Sequence, residues 1–117
     1  LLVPAAAVLA ASTAPHRAPA VSFNREVRPI LSDRCFQCHG PDEKTRMGGL
    51  RLDLREEAMR RGVLSPGKPQ TSRLLARVSL PAGDARLMPP ASAHPRLTPV
   101  QRETLRRWIA AGAPYEV

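Results

Sequence analysis

Five consecutive residues, Cys35-Phe36-Gln37-Cys38-His39, concentrate most of the chemistry this chain can offer. They hold both cysteines of the sequence, with two residues between them, and a histidine directly after the second. Cys-x-x-Cys-His is the pattern of a c-type haem attachment site. Each thiol can add across one haem vinyl group to form a thioether, and the adjacent imidazole can then face the iron. Positions i and i+3 lie on one side of a helical turn, so both thiols can meet the two vinyls together. Three other chemistries use parts of the same pattern. A dithiol redox pair of the thioredoxin type wants a strand beside it in a βαβ pattern, and no β-rich segment surrounds the motif. Structural zinc usually takes four ligands. Cys35, Cys38 and His39 supply three at most, while His16 and His94 sit in an apolar leader and a Pro-rich loop. A Cys35–Cys38 disulfide leaves His39 without a role. Haem is the reading that uses all three side chains.

A further donor stands in Leu87-Met88-Pro89-Pro90. A thioether at Met88 can close the sixth coordination position of the iron, and His/Met ligation raises the reduction potential. The two prolines stiffen the loop around it. The competing reading is Met88 as a gap-filling core residue, with Met47, Met59, His94 or an open position in its place; Met59 itself reads as core. In the basic loop Lys44–Arg51, Gly48 and Gly49 permit close backbone approach to a flat ligand. Arg46 and Arg51 are candidates for the haem propionates, because guanidinium forks suit carboxylates. Solvated surface charge is the alternative for both.

Composition bounds the rest. The chain has 117 residues, enough for one small domain, and only 3% of them are aromatic. So thin a core gains from a buried porphyrin, much as other small scaffolds borrow stability from metals or disulfides. The net charge is +8, with Arg far outnumbering Lys, which favours anionic partners such as an acidic redox protein. No nucleic-acid motif is present, and aromatics are too few for base stacking. No Ser/His/Asp set, carboxylate pair or phosphate loop argues for hydrolysis or group transfer.

The elements that must position these residues are helical. Residues 1–20 form an apolar Ala/Pro run too short to span a bilayer, with small-residue contexts that suit signal cleavage. It lacks an initiating Met and a basic start, so it reads as a signal peptide trimmed at its beginning, or as an Ala/Pro tail. Residues 21–117 form the domain. Ser22 can cap a first helix carrying Phe23, Val27, Ile30 and Leu31, which Pro29 should kink or divide. That helix delivers the Cys35 turn and stops at Gly40-Pro41-Asp42. Leu50, Leu52 and Leu54 alternate, predicting a short extended piece. Arg55–Arg61 reads as a short helix closed by Gly62. Thr71 or Ser72 caps a third helix with Leu74, Leu75 and Val78 on its apolar side. Residues 80–99 form a Pro-rich loop. Thr98, Pro99 and Gln101 make a capping box at the start of a last helix. Its stripe is Leu105, Trp108 and Ile109, its arginines 102, 106 and 107 face outward, and Gly112 and Pro114 end it. Trp108 should pack near Phe23 and Val27, with direct haem contact as the alternative.

The order FNREVRPILSDRCFQCHGPD…GGLRLD…GKPQTSRLLARV…MPP…LTPVQRETLRRWIAAGAPYE resembles a planctomycete-type cytochrome c domain over nearly all of residues 23–116. The resemblance implies an all-α, class I-like fold of about four helices wrapped around one covalently bound haem. It implies thioethers at Cys35 and Cys38, the proximal bond at His39 and the distal bond at Met88. It further implies an exported protein, since c-type haem is attached outside the cytoplasm, and a module that typically begins longer chains. The expected function is mono-haem electron transfer. The alternatives are a haem sensor with an open or displaceable sixth ligand, peroxidase-like activity using His94, and electron delivery to a catalytic domain.

Overall fold

The computed structural model describes residues 20–116, so the predicted leader lies outside it except for Ala20. The Ser22 hydroxyl accepts a hydrogen bond from the Arg25 amide at 3.3 Å and caps the first helical segment as expected. Pro29 divides that segment. It has no amide hydrogen to send back to Arg25. The turn before it loosens into a π-helix, Phe23–Val27, closed by the Arg28 amide on the Phe23 carbonyl. Helix α1, Arg28–Arg34, follows. Helix α2 spans Arg55–Arg60, and Gly62, at φ 70°, supplies the left-handed residue just beyond it. A 3-10 turn, Pro69–Thr71, leads into α3, Arg73–Val78. Helix α4, Pro99–Ala110, opens on the predicted Thr98/Gln101 capping box, with both reciprocal bonds formed. Among the described residues there are helices, turns and loops but no strands, which agrees with the all-α expectation.

Three local expectations need correction. Leu50, Leu52 and Leu54 do not form an extended piece, because the Leu52 amide bonds to the His39 carbonyl (2.8 Å) and the chain turns there. Leu54 is left exposed. Met59 is not core either; it faces outward from α2, 37% exposed. Ser72 does stand at the N-cap position of α3, but its side chain makes no cap bond. Buried, it instead accepts from the Ser65 amide (2.9 Å) and donates to the Lys68 carbonyl (3.0 Å), clipping the Ser65–Lys68 turn together.

The core gathers where the two ends of the described segment meet. Phe23, Trp108 and Tyr115 contact one another, with Phe23 and Tyr115 stacked at 4.5 Å and Trp108 tilted 5.7 Å from Phe23. The predicted Trp108–Phe23 packing is therefore present. Helix α4 ends in a Schellman pattern, with the Ala113 amide on the Trp108 carbonyl and the Gly112 amide on Ile109. This turns the tail back over the core. Trp108 Nε1 donates to the Pro114 carbonyl (2.8 Å) and the Tyr115 hydroxyl to the Leu52 carbonyl (2.7 Å). The Glu116 carboxylate accepts from the Phe23 amide (2.9 Å) and from Asn24 Nδ2 (3.1 Å). Arg55 ties α2 to the same tail through the Ala113 and Gly112 carbonyls. The consequence for function is a fixed first helix, on whose end the Cys35 turn rides.

Candidate haem site

Cys35 is the C-cap of α1. Its amide and that of Phe36 both bond to the Leu31 carbonyl, at 2.8 and 2.9 Å. The Cys38 and His39 amides then bond to the Cys35 carbonyl, at 3.2 and 2.8 Å, so the motif closes as a tight turn. Gly40 must stay bare: a Cβ there would collide with the Phe36 carbonyl oxygen, which is backbone and cannot step aside. After the turn the chain loops out and returns. The Met47 amide bonds to the Cys38 carbonyl (2.6 Å), the Leu52 amide to the His39 carbonyl, and Arg46 spans the Gly40 and Pro41 carbonyls.

This loop fixes the His39 ring. Its Nδ1 lies 3.2 Å from the Met47 carbonyl oxygen. A carbonyl only accepts, so Nδ1 carries the proton and Nε2 keeps its lone pair for a metal. Burial lowers the His39 pKa and the Arg61 charge adds to that, against the Met47 bond, which raises it. The net effect favours the neutral, ligating imidazole. Cys35 is pushed the other way, up to about 12, mainly by burial; Arg34 opposes the rise and Cys38 adds to it. Dithiol reductases need a depressed thiol, so Cys35 is poorly suited to that chemistry. Both cysteines are free thiols, not a disulfide. Among the described residues no cluster of three or more His, Cys, Asp or Glu is set to hold a metal ion, so structural zinc gains no support.

Cys35, Cys38 and His39 line one apolar pocket of about 180 Å³. Its walls are Leu50, Leu52 and Val63, the Leu74/Val78 face of α3, and Pro89 and Pro90. Met88 lines the same pocket. Its amide bonds to the Arg77 carbonyl at the end of α3 (3.2 Å), buried Leu87 precedes it, and the Met88–Pro89 peptide is cis. Arg96 secures the far side of this loop through the Leu80 and Ser79 carbonyls. All four sequence-predicted site residues are thus brought to one cavity, and His94 with them. Met47, 63% exposed, and Met59 are not among its walls, nor is Trp108.

The arginines differ from the expectation. Arg46 is engaged by the backbone of its own loop and Arg51 by Asp53 through two bonds, at 3.2 and 2.7 Å. Neither lines the pocket. Arg34, Arg73 and Arg77 do, each with a long bond from Nη1 to a carbonyl, at 3.3–3.4 Å, and Arg34 Nε also pairs with the Asp33 carboxylate at 2.9 Å. A signal for them was present. Arg73/Arg77 and Leu74/Val78 repeat at i, i+4 and so share one side of α3, while Arg34 directly precedes Cys35.

Residues 35–92 match the family model described as planctomycete cytochrome C, a span that opens on Cys35 and runs past Met88 and its two prolines. No curated protein and no solved structure gives a significant match to the chain. Haem-based function follows from the family, and the free thiol pair, the oriented imidazole and the apolar pocket suit that cofactor. Over residues 35–92, then, the chain matches the planctomycete cytochrome C family.

Proposed function

We propose that residues 21–117 form a mono-haem c-type electron carrier that works outside the cytoplasm. Cys35 and Cys38 hold haem c through thioethers, His39 Nε2 is the proximal ligand and the Met88 thioether is the sixth. The observation that carries this reading is the meeting of these four side chains in one apolar pocket. When bound, haem supplies one-electron chemistry between ferrous and ferric iron. The chain does the rest. His39 is held in its ligating tautomer by the Met47 carbonyl. The Met88 backbone is tied to α3, and a pre-set ligand loop keeps reorganisation small when the charge on the iron changes. Leu50, Leu52, Val63, Leu74 and Val78 exclude water, which raises the potential further. Arg34, Arg73 and Arg77 are the cations within reach of the propionates, replacing Arg46 and Arg51 in that role. The net charge of +8 suits an acidic redox partner. No described helix is long and apolar enough to cross a membrane.

A spectroelectrochemical titration of the haem-loaded protein, wild type beside Met88→Ala, tests the ligand assignment. The oxidised wild type should show the weak far-red band of sulfur–iron ligation. In the variant that band should vanish and the midpoint potential should fall by on the order of 0.1–0.2 V, within the roughly 0.8 V span that axial ligands command. An unchanged spectrum and potential would rule out Met88.

A further inference from the structure

The loop that presents Met88 carries a second donor. His94 lines the same pocket as His39 and Met88, half-buried, and its ring has no hydrogen-bond partner among the described residues. An imidazole at the edge of an apolar cavity, with no protein partner for either ring nitrogen, keeps a nitrogen lone pair free for a ligand that enters that cavity. The backbone on both sides of it is set. The His94 and Ala93 amides turn onto the Pro90 carbonyl, at 3.1 and 2.9 Å, and Arg34 at the end of α1 reaches the Pro95 carbonyl. Between the two donors stand Pro89 and Pro90, so Met88 and His94 are anchored to the same cavity by one stiff segment.

We infer that His94 is a reserve ligand for the sixth axial position, taking it when the Met88 thioether leaves. The inference rests on the Met88 assignment proposed above. The exchange moves one dative bond: sulfur withdraws its lone pair from the iron and a His94 ring nitrogen supplies another. No electron or proton is gained or lost when the imidazole is neutral. Imidazole gives a lower-potential centre than thioether, so the exchange lets one loop serve two potentials while the iron stays closed to outside ligands. His94 is thereby a ligand in waiting, not the distal acid of a peroxidase, which needs an open iron.

The test uses haem-loaded protein in three variants: Met88→Ala, His94→Ala and the double substitution. His94→Ala should keep the sulfur–iron band. Met88→Ala should lose that band yet remain low-spin when oxidised, and when reduced should bind carbon monoxide no better than wild type. The double variant should be high-spin and saturate with carbon monoxide. Met88→Leu, which keeps the side-chain volume, repeats the measurement if the alanine variant does not fold. A Met88 variant that is high-spin and takes carbon monoxide as fully as the double variant overturns the inference. A sulfur–iron band that survives Met88→Ala overturns the Met88 assignment instead, and a protein that takes up no haem overturns the haem reading itself.

Discussion

Two apolar surfaces of similar chemistry meet different fates in this chain. At the aromatic corner, Phe23, Trp108 and Tyr115 pack on each other, and every polar edge finds a partner: indole on Pro114, phenol on Leu52, tail carboxylate on the Phe23 amide. At the pocket, Leu74, Val78, Leu52 and Val63 line open space, with His39 and Met88 as the polar and soft groups among them. Apolar area is worth burying in either place, at about 25 cal/mol per Å². The corner gains that from the polypeptide alone, whereas the pocket gains it in full only when a flat apolar body fills it. The lesson is a division of labour: one half of the molecule folds the chain, and the other half is shaped for its cofactor.

That contrast has measurable consequences. Trp108→Ala should give the largest effect, a loss of about 3–5 kcal/mol in denaturant unfolding, of equal size in haem-free and haem-loaded protein. Leu74→Ala should instead cost about 2–4 kcal/mol in the loaded protein and clearly less in the empty one, where Leu74 already borders open space; equal losses would break the distinction. Gly40→Ala should destabilise by about 1–3 kcal/mol, as overpacking does. It should also lower the haem-loaded yield, because the collision with Phe36 sits inside the attachment turn; an unaffected yield would show that the turn can relax. Tyr115→Phe should cost about 1 kcal/mol, since the Leu52 carbonyl loses its partner, and should leave the haem spectrum untouched.

The last consequence is a dependence on pH, confined to alkaline solution. The Cys35 pKa is raised from 9.0 to about 12 in the fold. Above pH 9 the unfolded chain therefore gives up a proton that the folded chain keeps, and stability falls as pH climbs towards 12. In the loaded protein the sulfur is a thioether and cannot titrate. Tyr115 is also raised by burial and weakens both forms in alkali. The haem-free protein should therefore lose stability more steeply in alkali than the haem-loaded one, and identical alkaline slopes would contradict the burial of the Cys35 thiol.

What the sequence disclosed follows the range of the interactions. The attachment motif, the Ser22 cap, the Thr98/Gln101 box, the Gly62 stop and the break at Pro29 depend on neighbours within about one helical turn, and all were legible. Met88 was legible as a candidate donor on a Pro-flanked loop, though only the fold ties its backbone to α3. Arg46 and Arg51 misled because charge beside glycine looks free until a partner is seen; one is held by its own loop and the other by Asp53. Met59 misled because a six-residue helix buries little besides Ala58. The Tyr115 and Glu116 contacts span almost the whole described chain, and no local pattern announces them.

The central claim is that Cys35 and Cys38 carry haem covalently in the pocket that His39 and Met88 share. Intact mass spectrometry of protein matured by an export-linked haem machinery, before and after acid–acetone extraction, tests it most directly. The account predicts a mass increase of one haem that survives extraction, and its loss in the Cys35→Ala/Cys38→Ala variant. A wild-type mass equal to that of the bare polypeptide, or haem that extraction removes, would contradict it.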